Sequence, residues 1–289
     1  YASTRKQFGS AIEKFPAVRD MLIDMKIQIE ASRALLYETS RIVDWEQNYA
    51  KQLEFNPPKD KAQAKKLKKQ SRKVKRCAAM LTPMSKYYCS EMCNRVAYDS
   101  IQVLGGSGFM RDYASERHAR DARITTIYEG TSQLQIVAAV RGVCSGTAEK
   151  YLTELAEQNY ESELSDLLET LAKGRELMNK CIPFVKENGN DYMDLYGRAL
   201  VDIAIDLING YLFCGQASSE FDMQVAVASR DSQNTDGTIE MKKRKAAVAR
   251  RYITHNEAKI KALAELICAG DKSTFTDYET LVGPVPSED

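Results

Sequence analysis

The chain lacks what marks several function classes. It has only two histidines in 289 residues. A metal bundle needs several N, S or O ligands at helical spacing, as in Glu-x-x-His repeats; none occurs, so no metal is expected. No apolar run reaches roughly 18 residues, so no membrane span is expected. No charged head precedes an apolar core near the start, so no secretory signal is read there. The net charge of +1 favours no particular partner in bulk. The seven cysteines (Cys77, Cys89, Cys93, Cys144, Cys181, Cys214 and Cys268) are odd in number and lack C-x-x-C spacing. They suit buried thiols in a reducing, cytoplasmic compartment better than a disulfide framework or a zinc site. An initiating Met is also missing. Tyr1-Ala2-Ser3-Thr4-Arg5 reads like the interior of a longer chain, so a fragment is expected.

What is present is helical pattern, in a chain long enough for one large or two medium domains. Over residues 12–46 apolar positions recur at three and four, among them Phe15, Val18, Met21, Leu22, Met25, Ile29, Leu35 and Ile42. Such a helix is about 50 Å long and one-faced, which calls for antiparallel partners. Pro57-Pro58 marks a loop over 47–59. Eleven basic residues stand against Glu54 and Asp60 between Lys51 and Arg76. Without interleaved aromatics or a Gly-rich flank, this patch reads as a solvated face and not as a nucleic-acid site. Residues 74–104 are helical again, with Pro83 expected to kink the run or start a new helix. Beyond 149 the composition turns acidic. Three further helices are expected at 162–187, 191–219 and 239–269, broken at Gly189-Asn190 and Asp231 to Gly237. The expected architecture is therefore all-α: an up-and-down bundle over 1–148, a second, smaller helical bundle over 149–270, and an extended tail over 271–289.

Three short motifs interrupt this pattern. Arg5-Lys6-Gln7-Phe8-Gly9 reads as a helix end, with a basic last turn and a Gly stop; its basic edge can hold a phosphate. Gln102-Val103-Leu104-Gly105-Gly106 reads as a glycine stop whose exposed N–H groups can face a planar or phosphate-bearing ligand. Arg120-Asp121-Ala122-Arg123 leads into Ile124 to Ile127, a run of high strand propensity, then Tyr128-Glu129-Gly130-Thr131-Ser132-Gln133. There a single carboxylate stands before a glycine that permits a sharp turn or a close ligand. Thr131 or Ser132 can cap the helix that follows, expected over Leu134 to Ala148, and that N-terminus can receive an anion.

Together, the order and spacing of these motifs resemble the C-terminal part of the acyl-CoA dehydrogenase family over residues 1 to about 148. The helical extension resembles the larger bacterial members that carry an extra C-terminal domain. The resemblance implies an FAD-dependent oxidoreductase that converts an acyl-CoA thioester to the trans-2-enoyl-CoA. It places Glu129 as the base that takes the α-proton and Gly130 against the thioester. It assigns Arg5, Lys6, Gln7, Gln102, Gly105 and Gly106 to a flavin held by a neighbouring subunit, and Thr131 and Gln133 to the flavin of their own. It further implies a dimer or tetramer and an electron-transfer flavoprotein-like acceptor. The family's N-terminal and middle domains are absent from these residues, so the fragment alone is expected to be inactive. Two other readings stand beside it: a non-catalytic helical oligomerisation module, and a flavin acyl-CoA oxidase that shares the glutamate.

Overall fold

Two long helices and the turn between them organise the first half of the computed structural model, which describes residues 1–220, 224–226 and 238–284. The chain opens not with a helix but with a hairpin. Strand β1 (Lys6–Gln7) pairs antiparallel with β2 (Ser10–Ala11). Phe8 and Gly9 both adopt positive φ, 49° and 81°, the conformation that a two-residue hairpin turn requires. Helix α1 (Pro16–Phe55) follows, with proline at its first turn where a missing N–H costs nothing.

Helix α2 (Lys61–Leu104) is capped by the Asp60 carboxylate, which accepts from the Gln63 N–H at 2.7 Å. Helix α1 extends past its expected apolar run into the region expected to be a loop, and α2 begins well before its expected start at residue 74. Lys, Gln and Ala are strong helix formers even without an apolar stripe. The basic stretch becomes the first half of α2, and most of its side chains lie in solvent. Pro83 does not break α2: it is buried within it, and the helix is continuous through it.

A four-residue helix α3 (Gly106–Phe109) and helix α4 (Ser115–Arg123) lead to the third motif. Despite its high strand propensity, the run Ile124 to Ile127 forms no strand: Ile124–Thr126 is a 3-10 turn. The single helix expected after it is two, α5 (Ser132–Cys144) and α6 (Thr147–Ala156), broken where Gly146 takes φ 79°. Helices α7 (Ser165–Glu187) and α8 (Asn190–Ala217) fall close to their expected places. A short antiparallel pair, β3 (Gln224–Ala226) and β4 (Thr238–Glu240), precedes α9 (Met241–Cys268). The expected break from Asp231 to Gly237 lies outside the described residues. Past α9, the expected extended tail carries two short helices, α10 (Ser273–Thr276) and α11 (Tyr278–Val282).

One apolar core runs through most of this. Leu35 of α1, Met80, Leu81 and Met84 of α2, and Ile136 and Val140 of α5 share it with Leu200 and Ile203 of α8 and Ala249 and Tyr252 of α9. By length and composition α8 is able to cross a membrane, yet most of it is buried inside this core. A central helix surrounded by others is apolar all round for the same reason a membrane helix is. A second, small cluster joins Ala2, Ile12 and Val103 under the N-terminal hairpin.

Candidate functional site

The first two motifs meet at the C-terminal end of α2. Ala2 and Ile12, on either side of the hairpin, pack with Val103. The Tyr1 hydroxyl lies 3.3 Å from the Ser107 hydroxyl, and the rings of Tyr1 and Tyr113 meet edge to face at 5.6 Å. At the end of α2 the Gly105 N–H donates to the Ile101 and Gln102 carbonyls, and Gly105 takes φ 61°. These contacts leave Arg5, Lys6, Gln7, Gln102, Gly105 and Gly106 together on one exposed edge.

The third motif is fastened further back on the same helix. Asn94 donates to the Ala122 carbonyl at 2.8 Å. Lys86 donates to the carbonyls of Thr125 at 3.0 Å and Gly130 at 2.8 Å, and lies 5.3 Å from the centre of the Tyr128 ring. The Ser132 hydroxyl donates to Glu91 at 2.5 Å. The α2 anchors Lys86, Glu91 and Asn94 precede Gln102 by 16, 11 and 8 positions, so the two anchoring regions stand about 12 to 24 Å apart along α2. The fold thus unites the first two motifs and keeps the third apart from them.

Between its anchors the loop bends sharply. Glu129 has φ 49° and Gly130 φ 92°. A left-handed φ is uncommon for a residue with a Cβ. The Gln135 side-chain amide donates to the Glu129 carbonyl at 3.1 Å. The glutamate side chain is exposed, in company with Ile127 (44% exposed), Tyr128 (51%) and Leu134 (61%). One carboxylate therefore stands at an uncovered apolar surface.

One step on, the Thr131 hydroxyl accepts from the Leu134 N–H and caps α5. Helix geometry leaves the Ser132 and Gln133 N–H groups without intrahelical partners. They border an open depression lined by Glu91, Asn94, Arg123, Thr131, Gln133 and Arg198. The arrangement offers N–H donors, two guanidinium groups and a helix N-terminus to an anion. Arg198 comes from α8. Its guanidinium donates to the Tyr87 hydroxyl at 3.1 Å and lies 3.6 Å from Glu91. Behind it, Tyr87 donates to Asp202 at 2.9 Å. Burial pushes the Asp202 carboxyl above the usual carboxylate range, against the pull of Lys259.

Sequence reasoning did not single out Lys86, Glu91, Asn94 or Arg198. A signal was present for two of them. Lys86 and Asn94 stand eight residues apart, two helical steps of four, and so form a polar ridge beside the apolar stripe of α2. Arg198 carried no such signal, because only the packing of α8 brings it to this site.

The family profile described as "Acyl-CoA dehydrogenase, C-terminal domain" matches residues 1–59 and 59–143, and that described as "Acyl-CoA dehydrogenase C terminal" matches 144–230. The chain is 34% identical over 135 residues to the caffeyl-CoA reductase-Etf complex subunit CarC of Acetobacterium woodii, covering 47% of this chain and 28% of that protein. It is 34% identical over 137 residues to a short-chain specific acyl-CoA dehydrogenase of Megasphaera elsdenii, covering 47% and 28%. The chain thus spans under a third of the length of these curated relatives. In fold, it matches a Bacillus anthracis acyl-CoA dehydrogenase crystallised with FAD, with a TM-score of 0.66 and 18% identity, over 100% of this chain and 48% of that one. The two profiles meet within the last turn of α5 and together reach from the hairpin past α8, so the chain belongs to the acyl-CoA dehydrogenase family, of which it holds the helical C-terminal region.

Proposed function

We propose that this chain carries the catalytic base of an enzyme that oxidises an acyl-CoA thioester to the trans-2-enoyl-CoA, with Glu129 taking the α-proton. The observation that carries this reading is the Glu129 loop. A lone carboxylate is held in an uncommon backbone conformation, among apolar side chains that nothing in the described residues covers. A covering surface from the rest of the protein would exclude water there. An α-hydrogen next to a thioester carbonyl becomes removable by a carboxylate when water is kept out and the base is aimed. Loss of the α-proton to Glu129 and of the β-hydrogen with its electron pair leaves the carbon–carbon double bond. When bound, FAD supplies the acceptor for that hydride.

The residues present fit a flavin diphosphate at α5. Thr131 and Gln133, the N–H groups of Ser132 and Gln133, and the Arg123 and Arg198 guanidinium groups line one depression. Counted along α2, the edge formed by Arg5, Lys6, Gln7, Gln102, Gly105 and Gly106 stands about 12–17 Å from Asn94 and Glu91, which line that depression. We read that edge, set apart from the depression, as a contact to a second flavin, held by a neighbouring subunit of a dimer or tetramer. An electron-transfer flavoprotein-like acceptor is part of the same reading, since one relative is named as a subunit of an Etf complex.

The test is Glu129→Gln in the intact protein. Turnover of an acyl-CoA should fall by about four orders of magnitude, at the upper end for a general base, while the flavin absorbance stays. Normal turnover would reject the assignment.

A further inference from the structure

The apolar core does not hold the Glu129 loop in shape. None of residues 127–131 is part of the apolar core. Glu129 nevertheless takes φ 49°, a conformation that persists only where the surroundings over-determine it. A catalytic carboxylate on a loosely held turn would sample many directions, few of them productive.

Lys86 supplies the missing constraint. An ammonium has three donors. Here one goes to the Thr125 carbonyl at 3.0 Å and one to the Gly130 carbonyl at 2.8 Å. The third has the Tyr128 ring as its neighbour, 5.3 Å from nitrogen to ring centre, within the range of cation–π attraction. The three contacts fall before, beside and after Glu129 in sequence. Hydrogen bonds from a charged donor are roughly twice as strong as neutral ones. The donor itself sits on a rigid element. Its neighbours in α2, Ser85 and Tyr87, are buried, and Tyr87 is tied to Asp202 and Arg198 of α8. The opposite side of the turn is held by Gln135, whose amide donates to the Glu129 carbonyl. The loop is thus clamped from α2 and from α5.

We propose that Lys86 is a positioning residue, an ammonium clamp that aims the Glu129 carboxylate at the substrate's α-carbon without touching the substrate. This rests on the reading of Glu129 as the base. The clamp acts on an exposed loop, so it contributes little to global stability and much to the direction of one side chain. A misplacement of about 1 Å at a reacting group can cost about 100-fold in rate. That asymmetry separates positioning from a merely structural anchor.

The experiment uses the intact, flavin-loaded protein and three variants, Lys86→Met, Lys86→Arg and Glu129→Gln. Butyryl-, octanoyl- and palmitoyl-CoA are tried, and the best is used throughout. Lys86→Met keeps the apolar stem and removes all three donors. It should lower kcat by about 100-fold with KM little changed, keep its flavin, and melt close to the parent. Amide hydrogen exchange in the 127–131 segment should quicken. Lys86→Arg, which restores donors and charge in a different geometry, should recover part of kcat. A Lys86→Met protein with parental kcat overturns the clamp while leaving Glu129 as the base. So does one whose kcat loss comes with lost flavin or a collapsed melting point, if Lys86→Arg keeps its flavin without recovering kcat. Normal turnover by Glu129→Gln instead overturns the base reading, whatever Lys86→Met does.

Discussion

Glu30 shows how much a single buried charge can decide. It lies in α1 at 9% exposure. Both oxygens of its carboxylate accept from the Arg244 guanidinium, and Lys245 donates at 2.9 Å. Burial raises this carboxyl, but the two cations outweigh it and hold the group at about 2, below its ordinary 4.5. A carboxylate depressed on folding stabilises the fold above its unfolded value. That stability drains away as pH falls from about 4.5 towards about 2. At 1.36 kcal/mol per unit the whole contribution is about 3 kcal/mol. Glu30→Gln should therefore cost about that much at pH 7. Urea denaturation of both proteins should show the gap closing between pH 5 and pH 2.5, and a constant gap would refute the assignment. Legibility at this scale was uneven. The Thr131 cap and the Gly105 stop were readable, because each works through its own neighbours. The hairpin at Phe8-Gly9 was not: a positive-φ glycine ends a helix or turns a hairpin equally well. The choice is made by Ser10-Ala11 pairing back on Lys6-Gln7.

At the scale of elements, periodic apolar stripes located α7, α8 and α9 to within a few residues. The stripe fails where a helix projects into water, so it predicts a longer loop between α1 and α2 than the one between Phe55 and Lys61. It also fails where β-branched residues sit in a tight turn, as at Ile124–Thr126. What a stripe cannot show is which polar residues on it are paired. Asp206 of α8 is only 3% exposed and receives hydrogen bonds from Lys259 at 2.7 Å and Tyr252 at 3.0 Å, both on α9. The Tyr252 hydroxyl also lies 3.4 Å from that of Tyr88, which donates to Gln28. This network links α1, α2, α8 and α9 through the core. Removing one partner of a buried ion pair strands the other, at about 3–5 kcal/mol. Lys259→Met should lose stability of that order in guanidinium melts, at the lower end because the lysine is half in water. Replacing Asp206 by Asn in the same protein should recover most of it. A double variant no more stable than Lys259→Met would show that the charge pair is not the cause.

For the whole molecule, the two family profiles meet at 143 and 144, yet the packing carries straight across. Gly197 of α8 lets that helix approach α5 so closely that an added Cβ would sit 3.3 Å from Ile136 and 3.6 Å from Val140. Arg198, the next residue, lines the depression at the start of α5. The stripes on α5 and α8 were each legible as apolar faces. That they face each other was not, since periodicity tells which side of a helix is greasy and not what meets it. The C-terminal helices therefore support the site as well as extending the chain. Residues 1–148 without them would expose Ile136, Val140 and Val143, all fully buried here. Burying a side chain of that size stabilises by about 1.5–3 kcal/mol, and domains hold only about 5–15 kcal/mol in reserve. A protein ended after Ala148 should keep helical far-UV circular dichroism, lose near-UV signal, bind a hydrophobic dye and unfold without a sharp transition, where the full chain unfolds cooperatively. A truncated protein with a cooperative melt and native near-UV signal would mean that α5 finds its partners within the first half, and that the shared core is a convenience of packing and not a condition of folding.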